Sequence, residues 1–328
     1  MATIYDVAKK AGVGVGTVSR VINGSPHVSP RTRERVLEAI AELDYQPHAV
    51  ARSLATNRTN AIGVLVPFFT NYFFLEVLRG IQDVAYRKDQ GIFLYNVQQH
   101  KQKEVYLARI PVERRVDGLI VITLRIRENH AARFINGKFP VILVDSYNPT
   151  LPSLVVDNAY GAKLATEHLL SLGHRKVAFI NGLMRYHASR ARKAGFEEAL
   201  AQAGLQPDPN LIMETEFERS GGRQAMAALW EAGKRPTAVF AASDLQAIGV
   251  MEYLQKQGVR VPDDVAVVGY DDIEMAELLD LTTIRQPMYT MGAEAAERLL
   301  EGLPPPPVGE GWPKVYKPEL IVRKSSGS

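Results

Sequence analysis

The chain has 328 residues, 46% of them apolar and 23% charged, enough to bury a sizeable core in about two domains or in one small and one large. It contains no cysteine, which excludes disulfides, thiol catalysis and the usual zinc-finger ligands. No apolar run reaches the roughly 18 residues of a membrane span, and the amino terminus turns polar by Asp6, unlike a secretory leader. A cytoplasmic protein with no membrane partner is the expectation.

The net charge of +3 is unevenly placed. Residues 1–58 hold Lys9, Lys10, Arg20, Arg31, Arg33, Arg35, Arg52 and Arg58 against Asp6, Glu34, Glu38, Glu42 and Asp44. The other 270 residues carry 31 charges of each sign. A cationic segment on an otherwise neutral chain is what contacts to nucleic-acid phosphates require.

That segment opens with TIYDVAKKAGVGVGTVSRVIN, Thr3 to Asn23. Thr3 caps a helix, and Asp6 completes an acidic capping box at the positive end of its dipole. Ile4, Val7, Ala8 and Ala11 recur at helical spacing, and Gly12 can stop the helix in a left-handed conformation. A second helix follows from Val15 to Ile22, with Val18, Val21 and Ile22 facing inward. Two short helices joined by a glycine-containing turn form a helix-turn-helix, whose second helix fits the DNA major groove; the plain alternative is an ordinary helical hairpin. The glycines at 12, 14 and 16 do not make a dinucleotide fingerprint, because they follow a helix and their spacing is wrong. Asn23-Gly24 is a turn, and Ser29-Pro30 starts a third helix to Leu43. Val36, Leu37, Ile40 and Leu43 are expected on its packed face, with Tyr45 and Pro47 ending the unit.

Residues 48–60, HAVARSLATNRTN, are too short for a stable isolated helix. They read either as a plain linker or as a hinge that folds on DNA, with Leu54 wedged between base pairs from the minor groove. From Ala61 onward short apolar strands alternate with helices. Strands are expected at 62–66, 92–96, 118–122, 141–144, 176–180, 238–241 and 265–268, and helices at 72–88, 159–172, 190–203, 221–232, 246–257 and 290–300. Such alternation implies doubly wound parallel sheets, and the length suggests two similar halves.

The run IYDVAKKAGVGVGTVSRVINGSPHVSPRTRERV, followed by AVARSLATNRTNAIGVLVP, closely resembles the LacI/GalR family of bacterial transcription regulators. The resemblance extends through VDN, RKAGF, PTAVFAASD and VVGYDD to QPMYTMG, which is most like the catabolite control proteins of the family. It implies an α/β fold: a three-helix headpiece at 1–47, a hinge at 48–60, and a periplasmic-binding-protein-like core at 61–328. The core would have an N-lobe of about 61–157 and 289–317 and a C-lobe of about 158–288 and 318–328, with crossings near 157–159, 286–289 and 316–320. It also implies a homodimer on a palindromic operator in double-stranded DNA.

On the matching positions, Val15, Gly16 and Arg20 would read base edges, Arg20 by a bidentate bond to guanine. Thr3, Tyr5, Thr17, Ser19 and Asn23 would contact phosphates, while Arg52 and the intercalating Leu54 would act from the hinge. Gly14 departs from the family's usual serine, which removes a helix cap. In open α/β sheets ligands bind beyond the carboxyl ends of strands. Asp145, Asn181, Ser243, Asp244 and Asp271 fall there, and Phe68 to Phe74 is rich in phenylalanine. The family alignment makes Arg192 and Asp271 the polar anchors of a small-molecule effector, with Asp145, Ser243, Phe73, Phe74, Phe217 and Met288 lining the same cleft. Carboxylates, a guanidinium and aromatic faces suit a sugar or sugar phosphate. Each residue also has a plain structural reading, as a helix cap, a core aromatic or a salt bridge. A phosphorylated carrier protein is the alternative corepressor, but members that use one tend to lack the Asp145 and Arg192 types.

No cofactor or metal is expected. The histidines are scattered, without a nucleophile elbow or HExxH spacing, so the chain does not read as an enzyme. A periplasmic-type sugar-binding protein would share the core but not the headpiece. Leu303 to Pro307 reads as a rigid surface loop and Ser325 to Ser328 as a floppy end. The chain has no leucine heptad tail after Arg323, so a dimer is expected and not a tetramer.

Overall fold

The computed structural model describes residues 2–45, 58–67, 72–302 and 312–327. They fall into two compact units, one within 1–61 plus 114–117 and the other within 62–113 plus 118–328. Arg52, Leu54, Phe68 and the Leu303–Pro307 run lie outside the described residues.

In the first unit α1 (Ile4–Ala11), α2 (Val15–Ile22) and α3 (Pro30–Glu42) pack around Val7, Ala8, Ala11, Val18, Val21, Val36, Ala39 and Tyr45. The capping box is formed: Asp6 N donates to Thr3 Oγ1 at 3.3 Å and Thr3 N to Asp6 Oδ2 at 2.8 Å. Those bonds with Thr3 hold the Asp6 carboxyl below its usual pKa. Gly12 ends α1 at φ +62°, where a side chain would be strained. Ser29 caps α3 through Thr32 N at 3.3 Å. Leu37 was expected inside but is 51% exposed. The packed stripe passes through Val36 and Ala39, and Leu37 lies about 100° around the helix from Val36. Tyr45, expected only to end the unit, is 7% exposed and belongs to its core.

The second unit begins with β1 (Ala61–Val66), α4 (Tyr72–Arg87), β2 (Gly91–Asn96), α5 (His100–Glu113), β3 (Gly118–Ile122), α6 (Glu128–Asn136), β4 (Val141–Val144) and β5 (Ser153–Val156). It continues with α7 (Asn158–Ser171), β6 (Val177–Gly182), α8 (His187–Gln202), β7 (Ile212–Thr215), α9 (Arg219–Glu231), β8 (Ala238–Ala241), α10 (Asp244–Lys256) and β9 (Ala266–Val268). The last elements are α11 (Glu274–Leu278), β10 (Thr283–Arg285), α12 (Met288–Glu301), β11 (Lys314–Tyr316) and β12 (Glu319–Ile321).

Six strands form one sheet in the order β11-β5-β4-β3-β1-β2, and four form another in the order β7-β6-β8-β9. Pairings from β11 to β1, and throughout the second sheet, are parallel. Strands β1, β3, β4, β6 and β8 are buried along their whole length, as continuous apolar runs in doubly covered parallel sheets should be. Helices α4 and α12 pack against each other so closely that a Cβ on Gly80 would sit 2.1 Å from Tyr289 O, and one on Gly292 2.0 Å from Val77 O. In the second, Phe179 stacks between Phe196 at 4.7 Å and Phe240 at 5.0 Å.

The chain passes between the two sheets three times: after β5, where α7 packs on α8; between β10 and α12; and between β11 and β12, which pairs antiparallel with β10. The sequence reading missed β5, β7, β10, β11 and β12, and also α5, α6 and α11. The strands have only three or four residues, below the length at which periodicity speaks. In α5, Val105 and Val112 are exposed and Pro111 reads as a breaker, so no apolar face stands out.

The carboxyl terminus corrects another expectation. Ser325 and Ser326 are 3% and 2% exposed and not floppy. Ser325 Oγ accepts from Thr282 N at 2.8 Å and donates to Val267 O at 2.6 Å, while Ser326 Oγ meets His168 Nε2 at 2.9 Å. Small hydroxyls that satisfy buried backbone groups look disordered in sequence and are ordered in the fold.

Candidate effector site and DNA-reading surface

In the first unit, Gly16, Arg20 and Asn23 are exposed at i, i+4 and i+7 along one face of α2 and its end, and Val15, Thr17 and Ser19 are half-buried beside them. Nothing lies within 4 Å of a Cβ placed on Gly14 or Gly16, so this face is open. Gly14 leaves α2 without a side-chain cap, although Gly14 O still accepts from Thr17 N at 2.8 Å. Thr3 and Tyr5 are exposed at the start of α1, Tyr5 by 71%. Asn23 Nδ2 reaches Ser19 Oγ at 3.4 Å.

The basic residues divide by role. Arg33 donates to Ser25 O at 2.6 Å and Arg35 to Ala11 O, while Lys10 pairs with Glu42. Those three tie the helices and turns together. Arg20 and Arg31 are exposed and have no carboxylate in pairing range among the described residues. The local cationic surplus is therefore partly structural, and Arg20 is the charge left to face outward on α2.

In the second unit the site is built around Arg192 of α8, which is 5% exposed. Its Nε donates to Asn158 Oδ1 at 2.8 Å, Nη1 donates to Ala242 O, and Nη2 lies 4.0 Å from Asp271 Oδ1. The guanidinium stacks 3.7 Å from the centre of the Tyr270 ring and 5.6 Å from that of Phe217. Four elements thus fix one cation: the first turn of α7, the end of β8, the end of β9 and the loop before α9.

Two carboxylates share its field. Asp145 follows β4 at φ 51° and Asp271 follows β9 at φ 123°, both in backbone conformations that cost a non-glycine residue about 1–3 kcal/mol. Burial pushes the Asp145 carboxyl up to about 6, against the pull of Arg192 and a hydrogen bond from Asn158. Burial likewise pushes Asp271 up to about 7, opposed by Arg192 and by Gln286, whose Nε2 donates to Asp271 Oδ1 at 2.6 Å. Gln286 Oε1 is buried without a hydrogen-bond partner among the described residues, as is Ser189 Oγ, one turn before Arg192.

Asp272 points away from Asp271 and accepts from Arg285 at 2.6 Å and Arg323 at 2.7 Å. Asp244 is wholly buried and takes Thr283 Oγ1 at 2.5 Å and Ile273 N at 2.9 Å. Burial and the Asp271 charge raise its pKa. These two acids hold the strained loop in place.

Of the cleft residues expected from sequence, Asp145, Arg192, Asp271 and Phe217 come together. Phe217 lies against Gly182, where a Cβ would be 2.1 Å from the ring. Ser243 spends its hydroxyl on capping α10, accepting from Gln246 N at 3.2 Å. Asn181 ties β6 to α8 through Ser189 O at 3.1 Å. Phe73, Phe74 and Met288 are buried in the core of the first sheet, the two rings packed edge to face at 5.6 Å. Asn158, Tyr270 and Gln286 were missed. The rule that ligands gather at strand ends would have found Asn158 had β5 been recognised.

Two family models match the chain: "Bacterial regulatory proteins, lacI family" over residues 3–48 and "Periplasmic binding protein-like domain" over 166–326. Catabolite control protein A of Priestia megaterium is 38% identical over 303 residues, covering 91% of each chain. The chain belongs to the LacI family of bacterial regulatory proteins. It is a DNA-binding transcriptional regulator and not an enzyme, as its relatives are. Among solved LacI-family structures, the lac repressor dimer bound to operator and the anti-inducer ONPF superposes with a TM-score of 0.85 at 29% identity, covering 100% of this chain and 99% of that one. The complex of the transcriptional regulator CelR with cellobiose gives 0.72 at 32% identity over 99% and 100%. The headpiece match disfavours a periplasmic binding protein without DNA function, and no helix among the described residues is long and apolar enough to cross a membrane.

Proposed function

We propose that this LacI-family chain is a cytoplasmic repressor that binds a palindromic operator as a homodimer and responds to a sugar-like effector held around Arg192. The convergence of Asp145, Asn158, Arg192, Asp271 and Gln286 carries this reading. Carboxylates accept from vicinal hydroxyls, a guanidinium donates to ring and hydroxyl oxygens, and the Phe217 ring offers an apolar face to a pyranose. CelR, bound to cellobiose in its solved structure, supports a sugar as the ligand class. Residues 1–47 act as the DNA reader and 48–60 as the hinge, with Arg52 and Leu54 as its DNA contacts. On α2, Arg20 reads guanine, Val15 and Gly16 allow close approach, and Thr3, Tyr5, Thr17, Ser19 and Asn23 position the phosphates.

An effector changes DNA affinity only by binding one arrangement of the two sheets better than another. Asp145 comes from the first sheet while Arg192 and Asp271 belong with the second, so a ligand bridging them would favour one arrangement. Isothermal titration with cellobiose, related sugars and their phosphates tests this. Saturable binding that Arg192→Ala abolishes is expected; binding untouched by that substitution would remove Arg192 from the site.

A further inference from the structure

A cavity of about 860 Å³ with charged side chains in its wall opens between α5, the start of α6 and the loop after β4. Its size lies within the roughly 300–1,000 Å³ of small-molecule sites. Its walls carry Lys103, Arg125, Arg127 and Tyr147, and Glu128 and Asn129 at the first turn of α6. None of these residues takes part in the Arg192 cluster.

The loop that presents the two arginines is fixed with unusual care. Three successive carbonyls are each held by a side chain from another segment. Ser146 Oγ donates to Leu124 O at 3.0 Å, Lys103 Nζ to Arg125 O at 3.1 Å, and Asn148 Nδ2 to Ile126 O at 3.2 Å. Asn148 is itself locked by Thr150, whose N and Oγ1 reach its Oδ1 at 2.9 and 2.8 Å. Lys103 is only 7% exposed, so its ammonium is desolvated where it holds this carbonyl and faces Glu104. An ammonium has three N–H donors. One serves Arg125 O, a second faces Glu104 Oε1 at 3.6 Å, and the third has no partner among the described residues. The Glu104 charge is in turn shared with His130, whose Nε2 lies 2.6 Å from Glu104 Oε2.

The start of α6 completes the donor set. Arg127 sits at its N-cap in extended conformation and gives no side-chain cap. The N–H groups of Glu128 and Asn129 thus have no acceptor among the described residues, and the helix dipole is positive there. Arg125 and Arg127 are exposed and have no carboxylate in pairing range among the described residues. Two guanidiniums, a buried ammonium beside Glu104, and two backbone donors line a cavity in which Glu128 is the one lining carboxylate among the described residues. We propose that this cavity is a second ligand site of the protein, for a small molecule carrying a phosphate monoester. The tetrahedral dianion matches donors that arrive from several directions, and the half-exposed Tyr147 ring offers a face to the rest of the molecule.

Titration of the full-length protein carrying Arg192→Ala, which removes sugar binding in the cleft, with inorganic phosphate, ribose 5-phosphate and AMP, beside ribose and adenosine, tests the proposal. Saturable binding of the phosphorylated probes and none of the others is expected. The Arg125→Gln, Arg127→Gln double variant should weaken it by at least about tenfold. Both arginines are exposed, so a thermal melt should show that variant folded. Arg192→Ala should leave phosphate binding unchanged, which separates this site from the effector site. Absence of binding, equal binding of ribose and adenosine, or loss caused by Arg192→Ala and not by the double variant would overturn it.

Discussion

Arg20 stands exposed on α2 with no carboxylate in pairing range among the described residues, whereas Arg192 is 5% exposed and held by Asn158, Ala242 and two aromatic rings. Under the proposed function the same side chain serves two kinds of recognition. On the open face of α2 the guanidinium stays exposed to water, which under the proposed function leaves it available to a guanine edge, and local structure contributes little beyond direction. In the cleft the charge has already been desolvated and oriented before any ligand arrives, so the cost of organising it is borne by the fold. Strained Asp145 and Asp271, and the bonds that fix Asp272, are part of that cost. The buried region should accordingly be the more fragile of the two to substitution.

Arg192→Ala should show the largest effect. Truncating a buried, hydrogen-bonded charge costs about 2–5 kcal/mol, and Asp271 would lose the cation that opposes its desolvation. Effector binding measured by calorimetry should vanish, while operator binding without effector stays within a few-fold of the parent. Arg20→Ala comes next, losing about 1–3 kcal/mol of discrimination between operator and a duplex with the guanine replaced. Its binding to random DNA should change far less, and equal loss on both would make Arg20 a phosphate contact. Effector affinity should be unchanged in this variant.

The pH dependence is a finer test. Folded Asp145 and Asp271 are held above their usual range, to about 6 and about 7, so both are increasingly protonated as pH falls through 7 and then 6. A ligand whose hydroxyls donate to these carboxylates binds their ionised forms. Affinity should therefore fall from pH 8 to pH 5, with proton release on binding near pH 6–7, and be flat above about pH 8. The smallest effect is expected for Gly14→Ser. The position is extended at φ −72° and its Cβ direction is empty. A serine cap there should stabilise the headpiece by only a few tenths of a kcal/mol over glycine, read as a small rise in its melting temperature.

The two regions also differ in how far the sequence revealed them. The headpiece was legible because its signals are local: Thr3 with Asp6, Gly12, and Ser29-Pro30 act within a few residues of themselves. Even there Leu37 was misplaced, because one step of helical phase separates it from the buried Val36. The cleft is assembled from positions far apart in the chain. Strand-end reasoning found Asp145 and Asp271, and resemblance to the family supplied Arg192. Asn158 and Gln286 adjoin β5 and β10, strands of four and three residues that no periodicity betrays. Ser243 shows the converse, since a strand-end hydroxyl proved to cap α10. Tyr270 carries no signal of its own in the sequence, and only the fold shows Arg192 stacked on its ring.

The most direct test of the whole account is the affinity of the purified full-length protein for a two-fold symmetric duplex selected from random DNA, measured at fixed salt with and without the sugar that binds at Arg192. A strong preference over the scrambled duplex, shifted by the sugar in the parent and unmoved by it in Arg192→Ala, is the expected result. Equal affinity for symmetric and scrambled duplexes, with or without sugar, would contradict it.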